Sequence, residues 1–175
     1  MAKVHSSATI LPTKAELLET VLDGPVEVLG SYRFDDPAGE VGIEAFVVRR
    51  SAQLQHVVFT YRGAPLEVAE ARLLSTMEHS ELGQRWVYDG TTDPVAVECF
   101  RRAVLGEQKQ AVLELWEDGS LVGTREPTVR LSARAGISAD GPIVRIARTL
   151  GDATTGPALV AKWAGGEAVV ARFHD

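Results

Sequence analysis

The sequence predicts an α+β fold in which curved antiparallel sheets surround two main helices and the C-terminal part is rich in hairpins. Two amphipathic segments begin with helix-capping residues, and short runs rich in Val, Phe, Tyr and Ile are separated by turn residues. Strands in such close succession pair antiparallel, because a parallel pair needs a long crossover. A length of 175 residues and an apolar content of 45% are enough to bury a core.

The first elements are a strand over residues 4–11 and a short helix that follows it. Thr13 is positioned to cap the helix, and Glu16, three residues later, completes a capping box. Gly24 and Pro25 end the helix. Its apolar stripe consists of Leu18, Val21 and Leu22.

The central part predicts strands and then a second helix. The predicted strands are 26–34, 41–50 and 55–61. Residues 65–74 fit a helical turn followed by the next strand. Asp93 caps the second helix, Pro94 occupies its first turn, and Gly106 ends it.

Beyond residue 106 the pattern is that of strands alone, with a tight turn expected at Asp118 and Gly119. We expect residues 1–106 to form one α+β region and residues 107–175 to form an antiparallel hairpin extension packed on it, in one continuous domain. The strands of the extension are predicted at 111–116, 121–123, 129–133, 143–149, 159–163 and 168–173.

Charge and cysteine content exclude several classes of protein. A net charge of −6 is unfavourable for binding a nucleic acid backbone. Cys99 is the only cysteine, so no disulfide can form within the chain. No signal peptide is apparent, and the apolar runs are far shorter than the roughly 20 residues of a membrane-spanning helix. These observations indicate a cytoplasmic protein that does not bind membranes.

Residues 76–90 concentrate reactive side chains around a turn, within two predicted strands. If Ser80 lies opposite Arg85, His79 shares a face with Trp86, and Glu78 shares the other face with Arg85 and Asp89. A bulge at Gly83 would shift this register by one residue.

An acid/base pair of Glu78 and His79 is one interpretation of this segment. Adjacent residues of a strand point to opposite faces, however, which argues against a shared substrate atom. The other interpretation is structural: His79 packs or bonds to the turn, and Glu78 forms a cross-strand ion pair with Arg85.

Two further clusters are candidates for binding. Four carboxylates lie within residues 35–44, but their spacing does not match a calcium loop, and Asp and Pro are also typical of a tight turn. Arg62 could bind an anion and Tyr61 could stack on a sugar or base. We expect no catalytic residue, metal or cofactor, because no complete motif for any of them is present.

Three segments together resemble the N-terminal cap domain of actinobacterial maltokinases: residues 31–44, 60–66 and 76–90. The chain is most similar to short proteins of that group, some of which carry the description 1,4-α-glucan branching protein. The resemblance implies an α+β cap and a connection to trehalose, maltose and glycogen metabolism. The kinase body that follows such a cap has no counterpart here, since neither a His-x-Asp catalytic loop nor an Asp-Phe-Gly motif is found.

The resemblance therefore favours a stand-alone, non-catalytic cap-like protein that binds a protein partner or a small metabolite of α-glucan, trehalose or maltose metabolism. A kinase lacking its cap is one such partner, and exposed sheet edges would allow a homodimer. The alternative is a small enzyme or sugar-phosphate-binding protein. The candidate contact residues are Tyr61, Arg62, Glu78, His79, Arg85 and Asp89.

Overall fold

The computed structural model describes residues 2–5, 8–117, 119–134, 143–151 and 156–174. Within these ranges the chain forms two helices and thirteen strands, and the predicted α+β class is confirmed. The helices are α1 (Lys14–Val21) and α2 (Pro94–Val104), and the strands are β1 (Ala2–His5), β2 (Ile10–Leu11), β3 (Glu27–Phe34), β4 (Gly42–Arg50), β5 (Gln53–Arg62), β6 (Leu73–His79), β7 (Gly83–Asp89), β8 (Leu113–Glu117), β9 (Ser120–Arg125), β10 (Arg130–Arg134), β11 (Ile143–Ile146), β12 (Ala158–Trp163) and β13 (Gly166–His174).

Six strands between residues 10 and 89 form a strongly curled, antiparallel sheet. Its strand order is β2-β6-β7-β5-β4-β3, so the expected meander is present from β3 to β5. The hairpin of β6 and β7 returns to the sheet with β7 against β5.

Both helices follow the local signals of the sequence. The side chain of Thr13 accepts from the backbone of Glu16, and the Glu16 side chain accepts from the backbone of Thr13, so the capping box is confirmed. The side chain of Asp93 caps α2, and Gly106 lies just beyond the helix with a φ of 77°. Neither helix of the described part has the length and apolar character that a membrane crossing requires.

Three local predictions were wrong or fall outside the described residues. The expected strand over 4–11 is divided into β1 and β2, which belong to different sheets. Strand β1 pairs with β8 in parallel, and the long chain between them serves as the crossover that a parallel pair needs. In place of a helical turn before β6 there is one hydrogen-bonded turn from Val68 to Ala71. Asp118 lies outside the described residues, but β8 and β9 pair as a hairpin on either side of it.

The core forms two clusters, one on each face of the six-stranded sheet. On one face, α1 contributes Leu17 and Leu18 to the smaller cluster. On the other face, α2 packs between this sheet and a four-stranded sheet of order β10-β12-β13-β11. Phe100 of α2 contacts the rings of Tyr32, Phe34 and His56 there. The two helices thus pack on opposite faces of the curled sheet.

Candidate functional site

A cleft of about 590 Å³ opens on the face of the six-stranded sheet that carries α1. This volume is typical of small-molecule sites. Helix α1 and strands β3, β5, β6 and β7 each place at least one polar side chain in it. These side chains are Lys14, Arg33, Tyr61, His79 and Arg85.

The buried carboxylate of Glu44 connects three of these side chains. Its Oε2 lies 2.6 Å from Lys14 Nζ and 3.1 Å from Arg33 Nη2. The Tyr61 hydroxyl donates to the same oxygen at 3.4 Å. Arg33 and Glu44 are directly opposite in the β3–β4 register, so the backbone pairing itself brings these charges together.

Burial and charge act against each other at these ionizable groups. Burial raises the pKa of Glu44, but the nearby charges of Arg33 and Lys14 outweigh it and hold the pKa below its usual range. Burial lowers the pKa of Lys14 despite the opposing attraction of Glu44. The pKa of Tyr61 is raised, chiefly by burial, so its hydroxyl stays protonated and can donate.

The turn between β6 and β7 orients His79. The backbone amides of Glu81 and Leu82 donate to its Nδ1, each at 3.2 Å, which puts the proton of the neutral ring on Nε2. The interpretation of His79 as a turn-bonding histidine is confirmed. The turn closes because Gly83 adopts a φ of 69°, a conformation that favours glycine.

The register of this hairpin differs from the one expected with Ser80 opposite Arg85. His79 lies opposite Gly83, and Arg85 lies opposite Met77, so Arg85 shares a face with His79. The observed register is three residues from the expected one, and the irregularity of this strand pair lies between Leu73 and Ser75, so the bulge considered at Gly83 is not present.

Glu78 therefore lies on the opposite face from Arg85, and the expected ion pair between them is wrong. Arg85 donates from Nη2 to the Leu82 carbonyl at 2.7 Å. Its Nε is buried without a hydrogen-bond partner among the described residues.

The six predicted contact residues separate into two groups. Tyr61, His79 and Arg85 come together in the cleft. The remaining three, Arg62, Glu78 and Asp89, do not line it.

Arg62 and Asp89 are engaged elsewhere. Arg62 makes a two-bonded ion pair with Asp93, at 2.8 and 2.7 Å, and so joins β5 to the start of α2. Asp89 accepts from Thr91 and pairs with Arg148 at 2.6 Å. Both residues thus have structural contacts that sequence patterns did not indicate.

The sequence did not predict three residues at this site as a binding group, namely Lys14, Arg33 and Glu44. Glu44 carried a usable signal, because it is a charged residue inside the apolar run of β4 and lies on the same strand face as buried Phe46. Arg33 could have been found only as its cross-strand partner. Lys14 had no signal, since a lysine at a helix start is usually solvated.

Among the four carboxylates within residues 35–44, that of Asp36 supports the turn interpretation. Asp36 accepts from the backbone amides of Ala38, Glu40 and Val41 at 2.9 to 3.0 Å, which shapes the turn between β3 and β4. In the part of the chain that the structure describes, no group of three or more His, Cys, Asp or Glu side chains could hold a metal ion.

Residues 19–93 match the family model of the maltokinase N-terminal cap domain. The match contains all three segments that carry the resemblance, together with strands β3 to β7, and it covers less than half of the chain. No curated protein and no solved structure matches the chain. The segment from residue 19 to residue 93 is therefore similar to the maltokinase N-terminal cap domain.

Proposed function

We propose that the chain is a non-catalytic, cap-like binding module of α-glucan, maltose or trehalose metabolism, and that its cleft binds a small polyhydroxylated metabolite of the saccharide class. The observation that carries the proposal is the cleft itself: five polar side chains from five different elements converge on about 590 Å³. Three of them are tied to the buried carboxylate of Glu44.

The chemistry of the lining suits sugar hydroxyls, which both donate and accept hydrogen bonds. Lys14, Arg33 and Arg85 supply donors, and Asp35 and Glu40, which also line the cleft, supply acceptors. The lining also includes the ring of Tyr61, which offers an apolar surface to the C–H face of a sugar. Because the ion pairs with Glu44 hold two of the donors in place, little side-chain entropy is lost on binding.

The alternative function, a small enzyme that uses Glu78, His79, Arg85 and Asp89, has weaker support. General acid–base catalysis requires groups within hydrogen-bond reach of one reacting atom. Of the four residues, only His79 and Arg85 line the cleft. Glu78 projects from the opposite face of the hairpin, and Asp89 is paired with Arg148.

Calorimetric titration with maltose, trehalose and a longer α-glucan tests the proposal. We expect saturable binding of at least one of them by the wild-type chain. Arg85→Met should weaken that binding about tenfold or more, because it removes a charged hydrogen-bond donor. Glu78→Gln is the matched control, since it lies on the same hairpin outside the cleft, and it should bind as wild type does.

Two results would contradict the proposal. One is the absence of saturable heat with every saccharide at millimolar concentration. The other is an equal loss of affinity in Arg85→Met and Glu78→Gln, which would mean that the cleft is not where the sugar binds.

A protein partner is a second candidate ligand, and one observation favours it. Strands β1, β8 and β9 form a three-stranded sheet in that order, and its edge strand β9 exposes Leu121 and Val122. An edge of this kind can pair with a strand of another protein, such as a kinase lacking its cap, or with a second copy of the chain. Such a partner would bind Arg85→Met as tightly as wild type, which distinguishes it from a ligand of the cleft.

A further inference from the structure

A second cleft, of about 420 Å³, lies on the four-stranded sheet. Three arginines line it, namely Arg145, Arg148 and Arg172. Its other described lining residues are uncharged, so within the described chain no carboxylate lines the cleft. In a protein of net charge −6, three arginines that line one cleft are unexpected.

Two of these arginines face each other across adjacent strands. Arg145 of β11 lies directly opposite Arg172 of β13, and both side chains are exposed. The flanking Val144 and Ile146 are buried, so the alternation of β11 directs Arg145 outward.

This arrangement is unfavourable without a counter-charge. Side chains directly opposite in an antiparallel pair have Cβ atoms about 5 Å apart, and like charges there destabilize the sheet. Among the described residues, neither Arg145 nor Arg172 has an ion-pair partner. Within the described chain, therefore, no carboxylate offsets this repulsion, and an anion bound between the two guanidinium groups would offset it.

Arg148 supplies a third, firmly positioned guanidinium. Its Nη2 lies 2.6 Å from Asp89 Oδ2, and it donates to Thr91 Oγ1 at 2.5 Å. Its backbone carbonyl accepts from the His56 amide at 2.8 Å. Asp89 is buried, so its carboxylate anchors the arginine from beneath.

From these observations we infer that the arginine cleft is a binding site for a tetrahedral oxyanion of the phosphate class, either free phosphate or the phosphoryl group of a small metabolite. Planar guanidinium groups match the oxygens of such an anion in two-bonded geometry, which lysine cannot do as well. A cleft of this volume holds a small molecule better than a polymer surface. The inference does not depend on the saccharide site.

Thermal unfolding in inorganic phosphate, with chloride at matched ionic strength as reference, tests the inference. We expect phosphate to raise the unfolding temperature of the wild-type chain saturably. The double variant R145M/R172M should lose this response. Arg130→Met is the matched control, because Arg130 is an exposed arginine of the same sheet that pairs with Glu126, and it should respond as wild type does.

A second readout remains informative if the phosphate affinity is low. Without phosphate, Arg145→Met should unfold at a temperature equal to or above that of wild type, because it removes the repulsion with Arg172. In saturating phosphate, the order should reverse.

Binding measurements with three ligands distinguish the two sources of the anion: phosphate, glucose, and glucose carrying a phosphoryl group. Tighter binding of the phosphorylated sugar than of free phosphate would identify a metabolite, and equal binding would identify the free ion. Three results would overturn the inference: a shift of the same size in chloride, a response retained by R145M/R172M, or binding of an acidic peptide without any response to phosphate.

Discussion

At the scale of single residues, His56 shows how the core holds an ionizable group neutral. The Tyr32 hydroxyl lies 2.8 Å from its Nε2, and its Nδ1 lies 2.9 Å from the Ala147 carbonyl. Since a carbonyl only accepts, the proton is on Nδ1, and Tyr32 donates to Nε2. Burial lowers the pKa of His56 to about 4, although the bond to Ala147 opposes this.

We predict that His56 makes the protein less stable in mild acid. Its pKa is near 6.5 in the unfolded chain and about 4 in the folded one, so the unfolded state takes up the proton first as the pH falls. Between pH 6.5 and 4 this effect should lower the free energy of unfolding by up to about 3 kcal/mol.

Urea unfolding of wild type and His56→Gln across this range measures the effect. The stability of wild type relative to the variant should decrease as the pH falls, while effects of carboxylates common to both proteins cancel. A relative stability that does not change with pH would show that His56 does not titrate in this way. No pattern in the sequence indicated this role, because a lone histidine in a strand carries no local signal.

At the scale of elements, Asp93 joins the start of α2 to β5. Its side chain accepts from the Val95 amide as the N-cap, as predicted, and it also accepts from Thr60 and Arg62. Burial raises the pKa of Asp93, but its hydrogen bonds to Arg62 and Thr60 hold the pKa below the usual range. The cap was predictable from residues 93–94, whereas the bonds to β5 depend on tertiary contact.

We predict that Asp93→Ala lowers the free energy of unfolding by about 3 kcal/mol or more, because it removes the cap and leaves Arg62 without its partner. Asp93→Asn keeps a capping oxygen and should cost less. Arg101→Ala breaks only the exposed pair with Glu98 and should cost about 0.5 kcal/mol or less. Equal costs for Asp93→Ala and Arg101→Ala in urea unfolding would refute the assignment.

The β6–β7 hairpin shows that the sequence can predict two strands without predicting how they pair. Alternation and turn residues predicted both strands, but the facing of Arg85 depends on the register. The observed pairing of Arg85 with Met77 is three residues from the expected one, and any odd shift of register reverses every face.

At the scale of the whole molecule, one hydrophobic core connects the curled six-stranded sheet to the four-stranded sheet. Tyr32 and Val58 of the curled sheet, Phe100 of α2, and Leu159 of the four-stranded sheet belong to the same buried cluster. The backbone of residues 148–150 adds hydrogen bonds to residues 54–56. Separating the two parts would expose this shared apolar surface to water.

We therefore predict a single cooperative unfolding transition for the two parts. Variants that keep only Trp86 or only Trp163, with the other tryptophans changed to Phe, report on the curled sheet and the four-stranded sheet separately. Their fluorescence midpoints in urea should coincide with the midpoint from circular dichroism. Two separated midpoints would instead indicate independently folding units.

The sequence by itself determined the α+β class, both helix caps, most strands and the resemblance to maltokinase caps. These features depend on residues close together in the chain, such as Thr13 with Glu16. Only the tertiary structure decided that Arg33 and Glu44 meet Tyr61, and that Arg145 faces Arg172. Such contacts follow from strand order and register, which are set by packing across the whole molecule and not by any local pattern.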